Sequence, residues 1–285
     1  MLRSAGLPIA GPPQPHYNRL EFGMTKTLLI YERPTALNRE RHRHAHLNTL
    51  TQDMRFAASS NSFLLAATEL ADAAMHYPTV FIGPAEGPFT LAVLVGLQDG
   101  QNSHIDANGH WQEGRYVPAF VRRYPFVLAQ TEDTPEGGNR AAEDDDLTVC
   151  IDEASPALSG VGDLAPAPGA TPLFTPEGIN APLLDSAVHF LEQFNAQMRR
   201  TREFATELHN FGLLQKQVIE VKKGDKTMAL DGLYVVVESR IAELKANQIK
   251  RLAEKGYLGW VYAHLLSMRN VQRLASLEDR PELQN

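Results

Sequence analysis

Apolar and polar positions alternate with different periods along this chain. In an Ala- and Leu-rich segment, Leu64, Leu65, Leu70 and Ala74 recur at roughly helical spacing, which predicts a helix over residues 56–75 stopped by Pro78. The period then shortens. Thr79–Ile82 is predicted as a short strand, Phe89–Leu97 as a buried strand, and Phe126–Ala129 and Leu147–Ile151 as two more. Gly83-Pro84 and Gly87-Pro88 interrupt the pattern, and Asp99-Gly100 and Asn108-Gly109 are hairpin-type turns. A strand-like run, Thr27-Leu28-Leu29-Ile30-Tyr31, precedes all of these, and the acidic run 143–146 is expected as a solvated loop.

The second half has a longer period. Leu184, Val188, Leu191, Met198 and Leu208 predict a long amphipathic helix ending at Gly212. Residues 217–221 and 227–230 flank Gly224-Asp225 as a hairpin, and Leu233–Val237 is predicted as a third strand. Two helices finish the chain. One ends near Gly256, and the other buries Leu258, Val261, Leu265, Met268, Val271 and Leu274. The fold class is therefore α+β. A β-rich half with one helix spans 24–154, a proline-rich linker or surface loop spans 155–182, and a helical half with a small hairpin spans 183–285. The two halves are expected to share one core. There is no internal repeat.

Composition narrows the function. A net charge of −7 argues against nucleic-acid binding and against docking on an anionic membrane, both of which draw on Lys and Arg. No window approaches the roughly 18 apolar residues of a membrane span. Residues 1–23 have no apolar signal-peptide core and are rich in Gly and Pro, so they are expected to be a disordered leader, with Met24 as the natural start and a cytoplasmic location. Cys150 is the only cysteine, which excludes an intramolecular disulfide and a multi-cysteine metal site; in its apolar run it is expected to be a buried, inert thiol.

Three segments carry a resemblance. They are Gly109-His110-Trp111 leading into Tyr116-Val117-Pro118-Ala119-Phe120-Val121-Arg122-Arg123-Tyr124-Pro125-Phe126, then Leu230-Asp231-Gly232-Leu233-Tyr234-Val235-Val236, then Leu258 through Ala263-His264-Leu265-Leu266-Ser267. Together they resemble the bacterial SapC family, with the likeness running from about Met24 to about Leu274. The resemblance implies genes associated with a surface layer, or lying beside flavin-dependent halogenase-like and outer-membrane receptor genes. It implies no catalytic residue. The same label is borne by an unrelated transporter permease, which the absence of membrane spans sets aside.

Four constellations are candidates for chemistry. Arg122 and Arg123, beside Arg115, Trp111, Tyr116 and Tyr124, would grip an anion, or else make one ion pair and one solvated guanidinium. His104 and Asp106, two apart on a strand, are a weak start to an iron(II) site completed by His189 or His264. Against it, the SapC resemblance implies a large apolar residue at the position of His104. His42, His44 and His46 at alternate spacing would share one strand face, although Arg39, Arg41 and Arg43 would repel a cation. His264 and Ser267, one helical turn apart, lack a nucleophile elbow, which favours a packed core histidine. No cofactor signature emerges. The expected function is a non-catalytic accessory or binding protein that contacts another protein or an anionic small molecule, with its amphipathic last helix as the expected seam of a homodimer. The alternatives are an enzyme with a divergent active site, either a non-haem iron centre or a ligand site built on Arg122, Arg123 and His264, and a structural surface-layer component.

Overall fold

Two apolar segments from opposite halves of the chain pair in one sheet, and that pairing sets the architecture. A computed structural model describes residues 30–130, 147–162, 165–223 and 226–278. The leader, most of the first strand-like run, the acidic run and the Gly224-Asp225 turn lie outside the described residues. In chain order the elements are β1 (Pro34–Ala36), β2 (His46–Leu47), β3 (Ser62–Leu64), α1 (Leu70–Ala73), β4 (Thr79–Ile82), β5 (Thr90–Leu94), α2 (Ala119–Arg122), β6 (Phe126–Gln130), β7 (Leu147–Asp152), β8 (Leu158–Ser159) and β9 (Thr171–Pro172). They continue as α3 (Pro182–Asn210), β10 (Leu214–Lys223), β11 (Lys226–Val236), α4 (Ala246–Glu254), α5 (Tyr257–Ser267) and α6 (Asn270–Glu278). The fold is α+β.

The main sheet is antiparallel, in the order β10-β11-β4-β5-β3. Alternation along β4 and β5 buries both faces. Phe81, Leu91 and Val93 join the larger core, whereas Val80, Ala92 and Leu94 join a second core against Leu274 and Ala275 of α6. Burial on both faces explains why Phe89–Leu97 carries no polar alternation. Two smaller sheets, β1-β7-β6 and β8-β2-β9, enclose a third core with the start of α3. The proline-rich stretch thus contributes β8 and β9, which are paired on either side of β2.

Helix α3 binds these layers together. Pro182 suits its first turn, where an N–H would lack a helical partner, and Gly212, at φ 69°, follows its end. At 29 residues it is about 43 Å long. Its early apolar positions, Leu184 and Leu191, enter the third core, and its later ones, Phe194, Met198, Phe204 and Leu208, enter the largest.

Three expectations are corrected. The helix predicted over 56–75 is two 3-10 turns, at Arg55–Ala57 and Ala67–Glu69, with β3 between them and only α1 helical in the α sense. Ser59-Ser60-Asn61-Ser62 breaks it: Ser60 Oγ donates to Ser62 O (2.9 Å), and the backbone bonds across to β5 instead, as in Leu65 N–H to Leu91 O (3.0 Å). Leu233–Val237 is not a separate strand. Its first four residues continue β11 past a bulge in which Asp231 and Gly232, the latter at φ 79°, oppose Val218. The last two predicted helices are three, because the chain turns at Met268-Arg269, where Asn270 bonds to Ala74 O, and α6 packs onto β10.

Phe204 joins the layers most tightly. It is fully buried, with ring centroids 6.0 Å from Phe81, 5.1 Å from Tyr257 and 5.3 Å from Trp260. Phe204→Ala is expected to lower the unfolding free energy by about 3–5 kcal/mol in urea titration. A loss below about 1 kcal/mol would mean that this junction does not hold the layers.

Candidate functional site

The two adjacent arginines do not share a pocket. They stand at the end of one helical turn, α2, which starts after Pro118, and consecutive side chains on a turn point in different directions. Arg123 is buried, its guanidinium 4.1 Å from the Phe120 ring centroid, 5.4 Å from Phe194 and 5.7 Å from Tyr31. Burial lowers its pKa, and Tyr31 opposes that shift. Arg122 is half-exposed. It donates to Val117 O (3.0 Å) and to Tyr116 Oη (3.2 Å), and lies 5.4 Å from the Phe190 ring.

Their neighbours are fixed by the buried carboxylate of Glu69. It accepts from Tyr116 Oη (2.7 Å), Ala119 N–H (2.7 Å) and Ala66 N–H (3.0 Å). Burial first, and Glu69 second, raise the Tyr116 pKa. Trp111 is buried and donates Nε1–H to Tyr77 Oη (3.0 Å).

The histidines separate as well. His264 is wholly buried. Its Nε2 accepts Val236 N–H (3.1 Å), and its Nδ1 lies 3.1 Å from Thr79 Oγ1. Ser267 Oγ accepts Thr79 N–H (3.0 Å) and lies 2.6 Å from the His264 carbonyl oxygen, so the pair forms a latch between α5, β4 and β11. His104 and Asp106 do not share a strand face. Only Ile105 between them forms a bridge, to Trp111. His104 is buried, whereas the exposed Asp106 accepts the N–H groups of Asn108 and His110 within its turn. Residues 41–44 form turns rather than a strand, which leaves His42 buried against Glu153 (3.1 Å) and His44 exposed. His189 is exposed on α3 beside Gln193. Among the described residues no group of three His, Cys, Asp or Glu side chains is placed to hold a metal ion. Cys150 is buried in β7, and burial raises its thiol pKa.

Tyr124 opens onto a wide groove. Its ring lies flat on Phe56 (centroids 3.8 Å apart, planes 13°) and tilts against Tyr31 (5.6 Å, 43°) in a groove of about 580 Å³. Arg123 packs against Tyr31 behind this wall. The rim is acidic. Among the described residues, Glu32, Asp53 and Asp152 line the groove with a single cation, Arg55, and Asp53 holds Arg55 through Oδ1 to Nε (2.9 Å) and Oδ2 to Nη2 (2.9 Å). Arg55 in turn lowers the Asp53 pKa. Asp152 accepts the N–H groups of Glu32 (3.0 Å), Arg33 (2.8 Å) and Ala154 (3.0 Å), which fixes two loops at the rim. Burial pushes both Tyr31 and Tyr124 up to about 12, so both hydroxyls stay protonated near neutrality. Tyr31, Phe56 and Asp152 escape sequence reading because they lie far apart in the chain and no spacing links them.

The SapC family model matches residues 37–274, most of the chain. No curated protein and no solved structure matches it.

The latch has a pH signature. Burial pushes the His264 pKa down from 6.5 to about 4. The unfolded chain therefore takes up this proton before the folded chain does, and stability falls as pH drops from about 6.5 towards 4. Between pH 7 and pH 5, urea unfolding is expected to lose roughly 2 kcal/mol more in the native chain than in His264→Leu. Identical pH dependence in the two proteins would contradict the buried, neutral imidazole.

Proposed function

Because the chain belongs to the SapC family, we propose that it is a cytoplasmic, non-catalytic accessory protein that holds a basic segment of a partner protein in the groove of Tyr31, Phe56 and Tyr124. The observation that carries this reading is the groove's composition: three packed rings beside the exposed Glu32 carboxylate, with Asp53 engaging the Arg55 guanidinium and Asp152 buried beneath the rim. Aromatic surface packs the methylene stems of Lys and Arg and attracts their charged ends, and carboxylates complete the recognition. Tyrosines in a partly desolvated pocket are also the residues on which binding energy concentrates. The accessory role is the one implied by the family's association with surface-layer, halogenase-like and outer-membrane receptor genes. The non-catalytic reading is supported by His264 and Ser267, the histidine–serine pair of α5, whose polar atoms are engaged inside the latch. The contact moves from Arg122 and Trp111 to Tyr124 because Arg122 is engaged by its own neighbours and Trp111 is buried.

Fluorescence anisotropy with labelled peptides of equal length tests this. A Lys/Arg-rich peptide is expected to bind and an Asp/Glu-rich one is not. Tyr124→Ala and Glu32→Lys are each expected to weaken binding about tenfold or more, and Glu32→Lys changes an exposed side chain that the fold does not need. Equal binding of the two peptides, or unchanged affinity in a folded Glu32→Lys, would sink the proposal.

A further inference from the structure

Tyr77 is fully buried, and its polar atoms fasten three segments of the chain. Its N–H donates to Ala73 O (2.9 Å) at the end of α1. Its hydroxyl donates to Tyr116 O (2.6 Å) and accepts Trp111 Nε1–H (3.0 Å) from the loop before α2. Its carbonyl accepts Asn270 Nδ2–H (3.2 Å) from α6, and the same amide donates to Ala74 O (2.7 Å). These bonds hold the end of α1, the loop and α6 around a cleft of about 300 Å³, at the small end of the range for small-molecule sites.

The cleft has a one-sided charge. His76 lines it from the end of α1, His104, Gln112 and Arg115 from the loop, and Arg273 and Ser276 from α6. No carboxylate is among its lining residues, in a chain whose net charge is −7. The groups are held in place. His104 is 5% exposed, edge-on to Tyr77 (4.9 Å) and parallel to Trp111 (6.4 Å), with Nδ1 3.2 Å from Gln112 Oε1. Arg273 donates to Asn270 Oδ1 (3.1 Å), which ties the guanidinium to the amide that stitches the walls together. Arg115 Nη1 lies 3.5 Å from His76 Nδ1, and burial and this guanidinium both lower the His76 pKa, with Asp72 opposing.

Two guanidiniums and two imidazoles face one volume, and among the described residues no carboxylate lines it. Fixed donors around a partly desolvated cavity are complementary to an oxyanion, and guanidinium suits carboxylate and phosphate geometry better than ammonium. We propose that this cleft binds a small molecule through a phosphate or carboxylate group held between Arg115 and Arg273. Gln112 supplies a further hydrogen bond from its amide nitrogen, while Ser276 donates to Gln272 O (3.0 Å) within α6. Leu274 and Leu277 form an apolar side that favours a compact ligand over a polymer. This site is separate from the acidic groove and needs a ligand of opposite sign, so neither proposal depends on the other.

Isothermal titration of the full chain at low salt with inorganic phosphate and with malonate tests the site, with chloride as the control for screening. One of the two oxyanions is expected to bind saturably at one per chain, which also tells a phosphate ligand from a carboxylate one. Arg115→Gln and Arg273→Gln are each expected to weaken it about tenfold or more, and Arg122→Gln, an arginine outside the cleft, is expected to leave it unchanged. The proposal is overturned if neither oxyanion binds saturably. It is also overturned if either cleft variant, folded by circular dichroism, binds like the native chain, or if Arg122→Gln loses as much as they do.

Discussion

The pairing of β4 with β11 runs over only two residue pairs, Ile82 with Leu233 and Phe81 with Tyr234, and a buried imidazole completes it. His264 of α5 takes the next backbone N–H of β11, from Val236, while Thr79 at the start of β4 bonds to both His264 and Ser267. A buried N–H without an acceptor costs about 1–3 kcal/mol, so β11 cannot leave this position cheaply and α5 cannot rotate. The rest follows from that seat. With α5 fixed, Asn270 reaches the carbonyls of Ala74 and Tyr77, α6 covers the second core, and Tyr77 becomes the point at which three segments meet. Elements from both ends of the chain are thereby joined through one small set of buried polar groups.

That economy of polar groups shapes what the surface can do. Glu69, Thr79, Arg123, His264 and Ser267 are chemically capable side chains, and the fold uses each of them as a fastener. Among the concave surfaces left, two are opposite in sign. One is aromatic and acidic, between the loops fixed by Asp152. The other is cationic, between α6 and the loop that carries His104. Both rest on backbone fixed by buried side chains, which gives a binding site a defined shape before its ligand arrives.

The legibility of the sequence followed the range of the interactions. Strands β4, β5, β6 and β7 and helix α3 stood out because local period decides them. The helix expected over 56–75 failed where local hydrogen bonding by Ser60 and pairing with β5 outweighed the helical propensity of Ala and Leu. The one-strand bulge at Asp231-Gly232 was hidden because turn-forming residues interrupt a strand pattern whether or not the strand stops. Of the candidate site residues, Arg122 and Arg123 were visible as a charged pair, but their divergence depends on packing against Phe120, Phe190 and Phe194, and the two phenylalanines of α3 lie far along the chain. Both clefts assemble residues from three or more distant segments, and no spacing in the chain records that. The family resemblance found most of the chain's extent without indicating any of these groupings.

The claim that function resides in the two clefts, and not in the buried polar clusters, is tested most directly by hydrogen-exchange mass spectrometry. The chain would be compared in buffer and in extract of its own host. The account predicts slowed exchange confined to the rims: around Glu32, Asp53–Phe56 and Ala154, or around His76, Gln112–Arg115 and the first turns of α6. The latch at Thr79, Val236 and His264 should be equally protected in both conditions. Unchanged exchange at both rims, or protection gained only elsewhere, would contradict it.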